Sequence, residues 1–309
     1  MLYSWLKRLM KLALPLFAKR IEIINNQALQ AKGPLILAVN HPNSFLDAIL
    51  LGTFMQQPVH FITRGDVFKK AWVRRMLHVL HMIPIYRIRD GKDKLSLNEI
   101  TFLKSVEVLR NNGVLLIFVE GFCEYQTTLQ LPLKKGAPRI LQACWQQGIE
   151  ARVLPVWLQY SSIYKMGKTI HIRLGQIFGE EIVPDIDSAT CTAKINAVTT
   201  DALKNLETGI AFEHKQAPAW LRVLLLLPAM LGAVLHAPLY LPISIVTKTL
   251  TAKTVHYDSV VLVLLTFLYP ALLLVLAAAL WSFTGQWIAW PIVLLGFPFL
   301  AWCLIKWKQ

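Results

Sequence analysis

Residues 35–52 read LILAVNHPNSFLDAILLG, and the wider architecture can be worked out from this stretch. The apolar run Leu35–Val39 predicts a buried strand. Residues 44–55 predict a helix that follows it after a short polar loop. His41 and Asp47 therefore lie in the loop and in the first helical turn beyond the carboxyl end of a strand, where functional residues commonly lie.

The same alternation of short apolar runs and helical stretches continues through residues 21–215. Strands that alternate with helices predict an α/β domain with a mixed, largely parallel sheet flanked by helices. The further predicted strands are 59–62, 83–86, 114–119, 153–158 and 169–174, and the further predicted helices are 68–80, 97–109 and 195–210.

The composition is apolar and basic. Hydrophobic residues make up 55% of the chain and charged residues 16%, against about 45–50% and about 25% in typical globular proteins. This excludes a disordered chain and argues against a freely soluble enzyme. The net charge of +14 suits an anionic membrane surface better than a nucleic-acid site. The four cysteines form no CxxC pair and predict neither a zinc site nor a disulfide framework.

Residues 1–20 predict an amphipathic helix that lies on the membrane surface. Apolar residues recur three to four positions apart, and Lys7, Arg8 and Lys11 lie off that stripe. Such a helix places its apolar side on the bilayer and its cations on anionic headgroups. The alternative is a helix packed on the following domain.

Residues 220–309 predict a membrane region. Residues 259–281 and 286–305 carry no charge and are long enough to cross the hydrocarbon layer, which predicts a transmembrane hairpin. Residues 223–246 contain three prolines, which favour a re-entrant or interfacial segment over a straight span. In that arrangement all lysines after residue 246 lie on the side of the basic front. The alternative, a third span, places two of them on the opposite side.

His41 and Asp47 can act together. The helical turn that carries Asp47 can bring its carboxylate beneath the imidazole, which fixes the tautomer and stabilises the imidazolium when the other ring nitrogen takes a proton. Such a pair can activate an alcohol. Taken alone, the two residues are equally consistent with an unrelated loop histidine and a first-turn aspartate stabilised by the helix dipole.

Four short blocks follow one another within about 120 residues. They are NHPNSFLD at 40–47, IPIYR at 83–87, FVEG at 118–121 with LPLKKG at 131–136, and VLPV at 153–156. In this order they resemble the glycerolipid acyltransferase family, membrane enzymes that acylate glycerol phosphate and lysophosphatidic acid. The resemblance implies that family's fold. It also implies transfer of a fatty acyl group from acyl-CoA or acyl carrier protein to the hydroxyl of 1-acyl-glycerol-3-phosphate, which gives phosphatidic acid.

The resemblance also implies residue roles. His41 is the general base on the acceptor hydroxyl, and Asp47 orients it and balances its charge. Arg87, Lys134 and Lys135 are implied to hold the acceptor phosphate. The other implied substrate-binding residues are Asn40, Ser44, Glu120 and Gly121, with Glu120 bonding acceptor hydroxyls. We expect no metal and no cofactor, with acyl-CoA or acyl carrier protein as co-substrate.

Two departures from the family pattern concern spacing and acceptor. Five residues separate His41 from Asp47 where four are common, a spacing similar to that of fungal-type glycerol-phosphate acyltransferases. Val119 replaces the usual Pro, and residues 122–124 (Phe-Cys-Glu) replace a Thr-Arg-Ser run that often binds acceptor phosphate. Glycerol-3-phosphate and a lyso-aminolipid are therefore alternative acceptors. A non-catalytic membrane scaffold is the alternative of a different class.

The expected partners are the acyl donor, a lysophospholipid acceptor and anionic membrane lipids, with no nucleic acid. The expected location is the bacterial inner membrane, with the catalytic domain on the cytoplasmic face.

Overall fold

The computed structural model describes residues 2–86, 96–208 and 218–307; Arg87 and the predicted domain boundary at residue 215 lie outside them. In the described residues, seven strands form one sheet that helices cover on both faces. The strands are β1 Ala18–Ile24, β2 Leu35–Val39, β3 Val59–Arg64, β4 Met82–Ile85, β5 Val114–Phe118, β6 Arg152–Tyr160 and β7 Lys168–Leu174. The helices are α1 Leu2–Phe17, α2 Phe45–Phe54, α3 Ala71–Val79, α4 Leu97–Arg110, α5 Gly136–Trp145, α6 Cys191–Glu207, α7 Ala219–Leu250, α8 Tyr257–Thr284 and α9 Ala289–Trp307.

The sheet has the strand order β1-β7-β6-β2-β5-β3-β4. Neighbouring strands are parallel except β6 and β7, which run antiparallel. The expected mixed, largely parallel sheet is therefore confirmed. Because β2 lies in the middle of the sheet, the loop that follows it emerges at the carboxyl edge beside the ends of its parallel neighbours.

Strand β2 is buried on both faces, as its uninterrupted apolar run predicts. Its five side chains are at most 1% exposed. On one face they pack with α1, α2 and the first turns of α8, and on the other with α4, α5 and α6. The start of α8, an element of the predicted membrane region, is thus part of the core of the sheet domain.

Strand β1 differs from the sequence-based expectation, which assigns residues 1–20 to one helix. Helix α1 ends at Phe17, and β1 then pairs in parallel with β7 at the edge of the sheet. The strand is hard to recognise in the sequence because it carries Lys19, Arg20 and Glu22 within seven residues. Charged side chains of this kind are typical of edge strands, which they protect from pairing with other chains.

Helix α1 packs on the domain, which was the alternative placement for this segment. Met10 and Leu14 are buried in the core cluster that includes β2. Trp5 and Leu12, on the other side of the helix, are 54% and 73% exposed. One side of α1 is therefore held by protein, while large apolar side chains stay at the surface on the other.

In the described part of the chain, three helices are long and apolar enough to cross a membrane, namely α7, α8 and α9. Many of their large apolar side chains are exposed, including Val223 at 74%, Leu250 at 78% and Phe283 at 89%. Extended apolar surfaces of this kind mark contact with a partner or with lipid. Helices α8 and α9 coincide with the predicted hairpin. Lys306, near the end of α9, donates to the backbone carbonyl of Lys19 at 2.6 Å, so the hairpin returns to the sheet domain.

Residues 223–246, expected to form a re-entrant or interfacial segment, lie within the single continuous helix α7, which contains all three prolines. Ser244 bonds to the first residue of α8 at 2.7 Å, whereas His236 bonds to Tyr269, about 18 Å further along α8. Gly232 packs against the backbone of Leu300, only about 10 Å from the end of α9. Residues only eight positions apart on α7 thus contact points about 18 Å apart along α8.

Candidate active site

The carboxyl edge of β2 brings His41 and Asp47 together. The Nδ1 atom of His41 lies 2.9 Å from Oδ2 of Asp47, which is fully buried in the first turn of α2. The imidazole stacks on Phe118, at the end of β5, with ring centroids 3.6 Å apart and planes 10° apart. The Nε2 atom has no hydrogen-bond partner in the described residues. A carboxylate and an aromatic face thus orient the ring, and Nε2 is available to accept a proton.

The Asp47 carboxylate is held by two further donors. Oδ2 also accepts the backbone N–H of Asn43 at 2.9 Å, and Oδ1 accepts the hydroxyl of Tyr160 at 2.5 Å. Burial, with the Asp47 charge adding to it, raises the pKa of Tyr160 well above its ordinary value, so the hydroxyl stays protonated and donates. Tyr160 ends the strand that carries the VLPV block, and the sequence offers no other signal for its role.

The loop between β2 and α2 has an unusual backbone at Ser44, with φ 55° and ψ −143°. A residue with a side chain rarely adopts such a conformation unless its surroundings hold it there. The Ser44 N–H donates to Sγ of Cys123 at 3.1 Å, and its hydroxyl is hydrogen-bonded to Nδ1 of His256. Ser44, expected to bind substrate, is therefore tied to protein groups on both sides.

Asn40 and Glu120, also expected to bind substrate, are fully buried behind the loop. The Asn40 amide exchanges two hydrogen bonds, of 2.9 and 2.7 Å, with the backbone of β6. Oε2 of Glu120 accepts the backbone N–H of His41 at 2.9 Å, and Oε1 accepts from Gln126 and Gln130. Burial raises the pKa of Glu120, and these backbone donors oppose the shift. Protein donors therefore bond both carboxylate oxygens of Glu120 and connect it to the backbone of His41.

Gly121, Lys134 and Lys135 lie at the same edge of the sheet. Gly121 has φ 73°, and a Cβ atom there would lie 2.6 Å from Cγ of Lys134, so the position requires glycine. Both lysines are exposed. Lys134 thus lies next to the FVEG segment, and the exposed Lys135 follows it in the chain. Arg87, the other predicted phosphate ligand, lies outside the described residues.

Residues 20–159 match the family model described as Acyltransferase. Over these residues the chain is similar to the acyltransferase family. Among solved structures, the chain is similar to PlsC, the 1-acyl-sn-glycerophosphate acyltransferase of Thermotoga maritima, over 67% of this chain and 81% of that one. The two share 16% identical residues, with a TM-score of 0.47. No curated protein matches the sequence.

The site also includes residues that sequence reasoning did not single out. Burial, with the charge of Asp47 adding to it, raises the pKa of Cys123 to about 12, so its thiol is uncharged at neutral pH. Burial also lowers the pKa of His256, and the charges of Arg64 and His41 add to this. The sequence held one weak signal for the start of α8, because Asp258 is the only acidic residue between positions 223 and 305.

The described residues include no group of three or more His, Cys, Asp or Glu side chains placed to hold a metal ion. The reactive groups of the site are instead one oriented imidazole, one buried carboxylate beneath it and nearby ammonium groups. This arrangement can take a proton from a hydroxyl at Nε2 of His41 and hold an anion close by.

Proposed function

We propose that the protein is a membrane-bound O-acyltransferase that moves a fatty acyl group from acyl-CoA or acyl carrier protein to the hydroxyl of 1-acyl-glycerol-3-phosphate, giving phosphatidic acid. The observation that carries the proposal is the 2.9 Å contact between Nδ1 of His41 and Oδ2 of Asp47 at the carboxyl edge of the sheet. The acyltransferase family match over residues 20–159 supports the reaction class. A scaffold without catalytic function has no need of a buried carboxylate that orients a partly accessible imidazole.

The reaction proceeds in one transfer step and uses no cofactor. Nε2 of His41 takes the proton of the acceptor hydroxyl as its oxygen attacks the thioester carbonyl carbon. Asp47 stabilises the resulting imidazolium through Nδ1. The tetrahedral intermediate then expels the thiolate of the donor, and the proton passes from His41 to that sulfur. The new ester bond replaces the thioester bond, so protons and electron pairs balance.

Lys134, Lys135 and Arg87 are the proposed ligands of the acceptor phosphate. Lys134 and Lys135 are exposed beside the site, and Arg87 offers a guanidinium suited to two-pronged phosphate binding. A second acceptor class, glycerol-3-phosphate or a lyso-aminolipid, is favoured by one observation. Cys123 stands where the family often has a cationic residue. Its sulfur accepts the backbone N–H of Ser44, which lies in the loop between β2 and α2 (residues 40–44, the catalytic loop).

The bilayer supplies both the acceptor and the surface on which the enzyme works. Helix α3 exposes Trp72 at 65% together with the cations Arg74 and Arg75, a combination that fits anionic headgroups. The exposed face of α1 supports the same placement. Helices α8 and α9 cross as a hairpin, and α7 starts and ends on the side of the sheet domain, which we place on the cytoplasmic face of a bacterial inner membrane.

Acyl transfer by the purified full-length protein in detergent tests the function. Labelled palmitoyl-CoA or palmitoyl-acyl carrier protein is offered with 1-acyl-glycerol-3-phosphate, glycerol-3-phosphate and a lyso-aminolipid in parallel, and His41→Ala is the control. Product from lysophosphatidic acid is expected. Product from a phosphate-free acceptor alone would keep the His–Asp chemistry and remove the phosphate site, and no product from any pair would overturn the proposal.

The variant Arg87→Ala tests the phosphate site. Loss of one charge-assisted contact is expected to raise the acceptor KM about tenfold and to leave the donor KM unchanged. Arg139→Ala, which removes an exposed guanidinium from α5, is the matched control. Equal changes in both KM values would argue against a phosphate role for Arg87.

Cysteine labelling tests the membrane arrangement. Trp220→Cys, Lys253→Cys and Thr284→Cys each place a thiol at an exposed position, at the start of α7, before α8 and at the end of α8. In sealed vesicles, an impermeant maleimide is expected to label the first two from the same side and the third from the other. Labelling of positions 220 and 253 from opposite sides would make α7 a third span.

A further inference from the structure

The first turn of α8 lies directly against the catalytic loop. Asp258 and Ser259 are buried, at 1% and 0% exposed, although they begin a helix long and apolar enough to cross a membrane. The side chain of Asn43 donates to Oδ2 of Asp258 at 2.8 Å. Ser259 Oγ accepts the backbone N–H of Leu46 at 2.9 Å and donates to the backbone carbonyl of Asn43 at 3.2 Å.

The same loop residues reach the His–Asp pair. The backbone N–H of Asn43 donates to the Oδ2 atom of Asp47 that also faces Nδ1 of His41. Leu46 directly precedes Asp47 in the chain. A continuous line of contacts therefore runs from Asp258 through Asn43 to Asp47 and His41.

Asp258 is anchored on its other side by a buried ion pair with Lys168, at the start of β7. The Lys168 side chain is fully buried, and its ammonium group lies 4.8 Å from the ring centroid of Phe17, at the end of α1. Burying two charges costs several kcal/mol in desolvation, so such a pair is weak grounds for stability alone. Because the pair lies where α1, β7, α8 and the catalytic loop meet, it fixes the position of the first turn of α8 relative to that loop.

The loop needs such control. Ser44 holds a positive φ of 55°, and the partners that hold it include His256, which immediately precedes α8. Three contacts on the loop and the first turn of α2, made by His256, Asp258 and Ser259, thus come from the start of one helix of the predicted membrane region.

We propose that Asp258 and Ser259 are positioning residues for the His41–Asp47 pair, so that acyl transfer depends on the docking of α8 against the catalytic loop. This inference rests on the proposed acyl transfer. When α8 is docked, Asn43 and Leu46 present Asp47 beneath the imidazole. When the contacts are lost, the loop is free to relax at Ser44, and the base loses its orientation.

The test compares Ser259→Ala and Asp258→Asn with Thr266→Val in the purified full-length protein. Thr266 is buried two turns further along α8, and its hydroxyl bonds within the helix to Leu262, so this control perturbs α8 without touching the loop. Turnover is expressed per folded protein, as measured by gel filtration and thermal unfolding. We expect kcat to fall about ten- to a hundredfold in Ser259→Ala. Because the substrates contact other groups, both KM values are expected to stay within about twofold.

Ser259→Ala removes a single hydroxyl and decides the question even if Asp258→Asn fails to fold. A kcat within about twofold of the wild type, or an equal loss in Thr266→Val, would overturn the proposal. So would a loss confined to KM, since that marks a substrate contact. Absence of transfer by the wild-type protein would instead refute the proposed function, and the wild-type and His41→Ala assays reveal that outcome separately.

Discussion

The loop after β2 and the helices α7 to α9 differ in how their side chains are covered by protein. In the loop and the first turn of α2, Asn40 and Asp47 are fully buried, and each has hydrogen-bond partners within the protein. In the helices, side chains such as Val223 and Leu250 remain largely exposed. Contacts within the protein therefore specify the geometry of the first region, while the second exposes an apolar surface of the kind that marks contact with a partner or with lipid. The two meet at Asp258.

The largest expected effect separates the two regions. His41→Ala removes the proposed general base, and because such a group contributes about 10²–10⁴-fold, we expect turnover to fall about a thousandfold. The variant should sediment with membranes as the wild type does, since α8 and α9 are untouched. Turnover of the purified variant and its distribution between membrane and soluble fractions check both parts. Near-normal turnover would show that the pair does not carry the reaction.

A smaller effect is expected at Tyr160, which holds the carboxylate of Asp47 in place. Tyr160→Phe removes the hydroxyl that donates to Asp47 at 2.5 Å. A hydrogen bond to a charged group contributes about 1.5–3 kcal/mol, and about 1.4 kcal/mol of barrier is a tenfold change in rate, so kcat should fall about tenfold or more. Tyr164→Phe, at a half-exposed tyrosine four residues further on, is the matched control. Equal kcat values in the two variants would mean that Asp47 keeps its place without Tyr160.

The sequence predicted what is local and missed what is distant. The His41–Asp47 contact spans six positions, and one loop and one helical turn determine it. β2 was predictable because five apolar residues in a row have few other uses. The hydrogen bond between Asn43 and Asp258 joins residues 215 positions apart, and no periodic pattern in the sequence predicts it. The hydrogen bonds of Glu120 to the loop were not predictable for a related reason, since a carboxylate after a strand has the same sequence pattern whether it faces substrate or the loop.

The burial of Glu120 predicts a pH dependence of stability. Because burial raises its pKa above the ordinary 4.5, the folded protein binds a proton at a higher pH than the unfolded chain does. Stability contributed by this group should therefore fall as the pH rises from about 4.5 through the raised value. Glu120→Gln should abolish that slope.

Glu120→Gln should also lower the free energy of unfolding by about 1–3 kcal/mol. The side-chain amide has an NH₂ group in place of one carboxylate oxygen, and that group cannot accept the hydrogen bonds that the oxygen accepted. Thermal midpoints across a pH series test both effects, with Glu150→Gln as the exposed control. A slope that persists in Glu120→Gln would assign the pH dependence to another group.

The smallest effect on turnover is expected at Cys123. This variant distinguishes a residue that holds the loop in place from one that reacts with the substrate. The pKa of about 12 keeps this thiol protonated, whereas the thiolate is the nucleophilic form, so an acyl-enzyme through Cys123 is not expected. In Cys123→Ser the hydroxyl oxygen can still accept the N–H of Ser44. Turnover should therefore stay within about threefold of the wild type. A loss as large as that of His41→Ala, with a labelled acyl group trapped on the wild-type sulfur, would replace direct transfer by a covalent route. Retained turnover would leave the imidazole as the reactive group and the sulfur as one more contact that fixes the loop.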